Sequence, residues 1–353
     1  MSRTKAKSHD DRLKRSFQGL ANHYFGTGKF LGQRAFTHDD LSIHEFTQSV
    51  LDYQLNALSG PAAELVSLMG AKPELFQPRW LIAPYFPLRK SLAWLKTNLE
   101  CLQAAISLNS ANSCAMIAVE LGVLKTNDAW KEIVDKYCDL KPRTLFLWIE
   151  SFDEDQAEEQ DLLLFCKIVR RISQKGVVPV NLFGGFFSCL AQCVGLGGFA
   201  HGLIYGENKS FTPVLGGGQP PPRYYLKPAH VSMNVRGAEL LLSGVSAPAY
   251  LENVCDCTIC AGLFRGEDDL TRFFQFAEAS DQGKFMPRAY ALCRYHFLFA
   301  RLREIRDMEP LAPQERIEAI MKNVKFLQEI NAEEYAEHLN TWMNVIKLTC
   351  ADE

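Results

Sequence analysis

The sequence predicts an α/β protein, a (β/α)8 TIM-like barrel with an N-terminal helical layer and a zinc-binding helical C-terminal subdomain. Three observations lead there. From Trp80 onward, short apolar runs alternate with helical periodicities. The runs are continuously apolar, as strands buried on both faces of a parallel sheet must be. A cysteine-rich turn, CDCTIC, then ends the alternation at Cys255, and beyond Pro287 the pattern is helical throughout. The chain has 353 residues, enough for a barrel of about 250 residues with an appendage. An open doubly wound sheet is the competing architecture. No GxGxxG follows the first strand, which argues against a dinucleotide-binding fold.

The division expected is an N-terminal helical extension at 1–78, the barrel at 79–254 and the zinc-binding helical region at 255–353. In the first part Leu55, Leu58, Leu65 and Leu68 recur at near-helical spacing, interrupted by Gly60-Pro61. WLIAPYF reads as the first strand. Leu88, Leu92, Leu95, Leu99, Leu102 and Ile106 then form one stripe of a helix. CAMIAVEL, TLFLWIE and VPVNLFGG read as strands, separated by the helices AWKEIVDKYCDL and 158–175. Gly176 stands just past the second of these, where a helix cap favours glycine. A short helix FFSCLAQCVG follows. AHGLIYG, YYLKPAHV and YLENVC are further strand candidates.

Charge and cysteine usage bound the function. The formal net charge is −3, so any nucleic-acid contact must use a local patch. The N-terminus carries Arg3, Lys5, Lys7, Arg12, Lys14 and Arg15, either a solvated arm or an electrostatic contact to phosphate. It lacks the apolar core of a signal peptide. No apolar run reaches the roughly 18 residues that span a membrane. Eleven cysteines, many in apolar runs such as FSCLAQCVG, suit a reducing, cytoplasmic setting with thiols used as small core residues.

Cys255, Cys257 and Cys260 form a C-x-C-x-x-C knuckle that can aim three thiolates at one point. Zinc wants four ligands at tetrahedral corners. The fourth is His296 or Cys293, three residues apart on one face of a predicted helix; His296 is preferred. A Cys3His set leaves no open position for water, so the Zn2+ is expected to be structural.

The knuckle, followed by a histidine in AYALCRYHFLFARLREI, resembles the tRNA-guanine transglycosylase superfamily. The resemblance spans about residues 175–310 and is most specific at Cys255, Cys257, Cys260 and His296. It implies a zinc-bearing (β/α)8 barrel that exchanges guanine for a 7-deazaguanine in tRNA, or in DNA for some relatives, with tRNA or DNA and a small nucleobase as partners. Two of the family's features are missing. WLIAPYFPLRKS stands where the family has an Asp-Ser-Gly-Gly-Phe motif. LGGFAHGLIYGENKSF falls where the eighth strand and its nucleophilic aspartate belong, yet it holds His201, Tyr205 and Glu207 and no aspartate.

Base exchange needs a carboxylate to attack the ribose carbon. Glu207, just past the predicted strand, and His201 are therefore the candidate catalytic residues. His201 and Tyr205, four apart on a strand, face the same way. Strand ends add Glu120, Glu150, Asp153 and His230. Asp153, Glu154 and Asp155 suit a helix start. Gly184 and Gly185 precede a short helix whose amides suit phosphate. Arg223, presented by the loop GGGQPPPRYY, suits a phosphate as well, with Tyr224 or Tyr225 as a stacking face. Tyr335, Leu339, Trp342 and Ile346 on the last helix offer an apolar face for a homodimer. A non-catalytic binding or assembly module is the alternative to an enzyme.

Overall fold

The computed structural model describes residues 42–68, 70, 78–90, 92–202, 209–211, 220–265, 270–279 and 284–350. The basic arm, Tyr205 and Glu207 lie outside them. The chain divides into two compact units. One holds 1–151, 171–180 and 210–217; the other holds 152–170, 181–209 and 218–353.

Five strands form one sheet in the order β1-β2-β3-β4-β5: Leu81–Ile82, Ser113–Glu120, Thr144–Glu150, Val178–Asn181 and Gly198–Phe199. β1 and β2 are parallel, as are β2 and β3. Spatial order follows sequence order, so the winding never reverses. Eight parallel strands closing a barrel are not found among the described residues. Two predicted strands took other forms. YYLKPAHV became an antiparallel hairpin, β6 Arg223–Leu226 and β7 Val231–Asn234. Its turn holds Pro228, and His230 takes the left-handed region at φ +56, which reverses the chain. YLENVC lies largely in a helix, α8, Ala247–Asn253. Ser246 accepts from the amide of Ala249 at 3.4 Å, and Pro248 sits in the first turn. This Ser-x-Pro start is a helix signal that outweighs the apolar run.

In the first unit, helices α1 Ile43–Leu68, α2 Leu95–Leu108, α3 Leu121–Lys125 and α4 Ala129–Asp139 accompany β1 to β3. α1 runs through Gly60-Pro61 without a break. Every residue of β2 except Glu120 is buried, which explains its unbroken apolar sequence. Gln54 of α1 acts as a substitute strand for the edge of β1. It donates to the carbonyl of Ile82 and accepts from its amide, both at 2.8 Å, so that edge is covered. The chain then bulges through two prolines and rejoins the sheet at Leu88, which bridges to Val119. Asn98 of α2 accepts from the amide of Phe86 at 2.8 Å and donates to its carbonyl at 2.9 Å. Of the predicted leucine stripe, Leu95 and Leu102 are buried in α2, together with Thr97, Asn98, Cys101 and Ala105, while Leu92 and Leu99 line a groove of about 690 Å³ beside α4.

α5, Glu159–Gln174, connects β3 to β4, with Gly176 beyond it at φ +78. The second unit continues through α6 Phe186–Leu190, α7 Val235–Leu241, α8, α9 Thr258–Leu263 and α10 Leu270–Ala277. It ends in α11 Pro287–Met308, α12 Pro313–Glu329 and α13 Glu337–Cys350. The apolar face read as a dimer surface is spent inside this unit: Leu339, Trp342 and Ile346 are buried, and the Trp342 indole donates to the carbonyl of Glu154 at 3.0 Å. Among the described residues no helix is long and apolar enough to cross a membrane.

Candidate metal centre

Cys255, Cys257, Cys260 and His296 converge. Their ligand atoms lie within 4.8 Å of one another, and all four residues are buried. The knuckle is made by two short helices meeting. α8 ends at Asn253, Cys255 donates its amide to Tyr250 at 3.1 Å, and Cys257 is the residue that caps α9, placing Cys260 one turn in. α11 brings His296. Its Nδ1 stands 4.0, 3.5 and 3.2 Å from the sulfurs of Cys255, Cys257 and Cys260. A tetrahedral zinc with ordinary bond lengths would set each such separation at about 3.6 Å. The four groups can therefore hold one metal ion with small adjustments.

Second-sphere contacts orient the ligands. His296 Nε2 donates to the carbonyl of Tyr225 on β6 at 2.8 Å. That bond places a proton on Nε2 and turns Nδ1 toward the thiols. Tyr224 stacks on the imidazole at 4.5 Å, nearly parallel. Tyr250 reaches Cys260 Sγ at 3.2 Å, and its hydroxyl also meets that of Tyr224. Phe264 stacks on Tyr250 at 3.8 Å. The result is an aromatic wall around the sulfurs.

Electrostatics in the four groups themselves favours charge separation. Hydrogen bonds from Cys255 and Cys260 hold Cys257 far below the usual thiol range. Burial, then the neighbouring thiols, pushes Cys260 well above it. Burial acts to lower His296, but hydrogen bonds and charge from Cys255 and Cys257 outweigh it and raise the imidazole to about 10. A divalent cation would replace these protons. Cys293 is not in the cluster. Burial pushes its thiol up to about 12, as expected of a core residue.

Beside the centre lies a groove of about 560 Å³, lined by α9, α11 and the turns next to them. Arg265, Arg303 and Arg306 stand in it with Phe299 and Leu302, over a floor that includes Ala261 and Gly262. Arg303 pairs with Asp256 at 2.7 Å. Along α11, Tyr295, Phe299 and Leu302 are 55%, 40% and 54% exposed, an apolar stripe at i, i+4, i+7 that faces outward. In the sequence this groove leaves no mark beyond that i, i+4, i+7 stripe on α11.

The other predicted site residues are placed separately. Glu120 and Glu150 are register partners at the ends of β2 and β3. Glu120 accepts from the amide of Lys90 at 3.1 Å. Glu150 accepts from the Ser210 hydroxyl and the Phe211 amide, each at 2.7 Å. The Gly184-Gly185 amides do not form a phosphate cradle. The Gly185 amide donates to Glu154 at 2.8 Å, as does that of Ser188 at 3.0 Å. Asn181 donates to this carboxylate at 3.2 Å, and the Ser188 hydroxyl donates to it at 2.5 Å. Glu154, read as a solvated helix-start charge, is 1% exposed. Gly184 is required by this packing, since a Cβ there would fall 2.2 Å from Ser188 Oγ. Arg223 turns back along its own hairpin and bonds the carbonyl of Ser232. His201 is half-buried, edge-on to Phe297 at 5.1 Å, with Nδ1 3.0 Å from the Gly202 carbonyl. Burial, then the charge of Arg301, lowers its pKa. His230 is buried against the ring of Phe186 at 3.4 Å.

Tyr250 is the supporting residue that the sequence reading leaves out, although the Ser246-Ala-Pro248 helix start was an available signal. Tyr225 and Glu154 take roles other than those expected, as an acceptor for His296 and an interior acceptor for Gly185 and Ser188. Comparison of the chain with protein-family models, with curated proteins and with solved structures gives no match.

Proposed function

We propose that the protein binds nucleic acid, tRNA or DNA, through the arginine-lined groove beside its metal centre, and that the metal is a structural zinc. The carrying observation is the groove itself: Arg265, Arg303 and Arg306 interleaved with Phe299 and Leu302. Guanidinium groups suit phosphates, and an exposed aromatic face suits an unstacked base. Three thiolates and one imidazole favour zinc over harder ions, and a filled tetrahedral set has no position for a catalytic water. The one-directional order of β1 to β5 supports barrel-type winding of the transglycosylase kind, since a doubly wound sheet reverses at a switch point.

In this reading base exchange falls to Glu207, as the carboxylate that attacks the ribose carbon, and to His201. Anisotropy with labelled tRNA and single-stranded DNA tests the binding. Arg306→Ala and Phe299→Ala should each weaken it about tenfold, and Arg306→Ala should also flatten the salt dependence by about one phosphate contact. Unchanged affinity in both variants would remove the groove from the proposal. Incorporation of radiolabelled guanine, lost in Glu207→Ala, tests the exchange. A second reading, a non-catalytic binding module, is favoured by one observation. Glu120, Glu150 and Glu154 each accept from a backbone amide of the chain, leaving less of each carboxylate for acid–base work. Nucleic-acid binding without any exchange would select it.

A further inference from the structure

Eleven cysteines are present and none is in a disulfide. Nine are buried. The two that are not, Cys193 and Cys350, are in contact: their sulfurs lie 3.2 Å apart across 157 positions of sequence. The two cysteines that are not fully buried are thus the touching pair.

The backbones that carry them are fixed independently. Cys193 lies in the 3-10 turn Ala191–Val194 directly after α6. Arg316 of α12 anchors that segment by donating to the carbonyls of Cys189 at 2.8 Å and Leu190 at 3.3 Å. Cys350 is the last residue of α13. The neighbouring Thr349 carbonyl is bound by Arg170, and the Thr349 hydroxyl donates to Val345 at 2.7 Å. For a bond the sulfurs must close from 3.2 Å to about 2.05 Å.

We infer that Cys193 and Cys350 form a redox-active dithiol, a modification site at which a hydroperoxide converts the pair to a disulfide fastening the end of α13 to the turn after α6. The steps balance. The Cys350 sulfur attacks the hydroperoxide oxygen that carries hydrogen; the O–O bond breaks, the alkoxide or hydroxide leaves and takes up the thiol proton, and Cys350 becomes a sulfenic acid. Cys193 then attacks Cys350 sulfur, the S–O bond breaks, and hydroxide departs as water with the Cys193 proton. Two thiols and one hydroperoxide give one disulfide, one alcohol or water, and one further water. Burial pushes Cys193 up to about 12, with the Cys350 hydrogen bond adding to it, so Cys193 is not the sulfur that meets the peroxide first. Cys166, packed nearby, is buried and pushed further still above the ordinary thiol range, again mainly by burial. It is an inert spectator.

The test uses the full chain treated with limiting hydrogen peroxide, followed by alkylation of free thiols, peptide mapping and a non-reducing gel. The expected result is a monomer lighter by two hydrogens, with Cys193 and Cys350 both protected and joined in one cross-linked peptide, all other cysteines alkylated, and full reversal by dithiothreitol. Its melting temperature should rise on oxidation and fall back on reduction. Cys193→Ser should leave Cys350 as a sulfenic acid trapped by dimedone, while Cys350→Ser should leave Cys193 unoxidised at the same dose. Free Cys193 and Cys350 after the knuckle cysteines have oxidised, or a cross-linked dimer in place of the internal bond, would overturn the inference. Should a variant fail to fold, the wild-type peptide map still decides.

Discussion

His230 Nδ1 lies 2.8 Å from Glu304 Oε1, with both side chains buried. The geometry makes Nδ1 the donor, so Nε2 is the acceptor for Asn323 Nδ2 at 3.1 Å. The Tyr225 hydroxyl donates to the same carboxylate, and Arg301 approaches it at 3.6 Å. One carboxylate thus joins β6, the turn before β7 and α11, and the histidine extends the link to α12. Removing one member of a buried ionic network strands the others, at a cost of about 3–5 kcal/mol. Glu304→Ala should lower stability by that amount in chemical denaturation. Glu304→Gln, which retains an acceptor, should cost less. Equal losses in both would show that charge rather than hydrogen bonding dominates.

Acid should destabilise the second unit before its carboxylates titrate. Burial lowers His230 despite Glu304, and lowers His338 to about 4 despite its bond to the Ala229 carbonyl. A depressed histidine is neutral when folded and takes up its proton more readily when unfolded. Its contribution is therefore complete above the unfolded value of about 6.5 and is lost as pH falls toward the folded value. Between pH 6.5 and 4 His338 alone should remove on the order of 3 kcal/mol. Melting temperatures across pH 4–8 check this, and His338→Gln should flatten the slope. A flat wild-type profile would contradict it.

Metal loss should be severe and specific to four residues. Elemental analysis should find one zinc per chain. Cys260→Ser or His296→Ala should abolish it, with a stability loss on the order of 10 kcal/mol, as for structural zinc. Cys293→Ala, three residues from His296 and outside the cluster, should retain full metal content. Zinc loss in Cys293→Ala at unchanged folding would place the fourth ligand wrongly.

Gly184→Ala should be destabilising without any ligand present, because the new methyl would meet Ser188 Oγ and the Asn181 amide. Glu154→Ala should be worse, by about 3 kcal/mol, since the amides of Gly185 and Ser188 lose their acceptor. If Gly184→Ala melted like wild type yet lost nucleic-acid affinity, a phosphate-cradling role would be restored to the glycine pair.

The sequence by itself determined the features that depend on neighbours along the chain. β2, β3 and α5 follow from apolar runs and 3.6-residue periodicity, and CDCTIC announced a metal knuckle because its three thiols are local. The histidine was also legible, since only two candidate ligands lay on one helical face. Tertiary structure decided which of them faced the sulfurs, because Tyr225 had to supply a carbonyl to His296 Nε2. It likewise decided that Glu154 is an interior acceptor rather than a surface charge, and that a predicted strand at 224–231 turns back on itself. These outcomes rest on partners tens of residues away, whose hydrogen bonds and burial outweigh the small local preferences that a sequence pattern records.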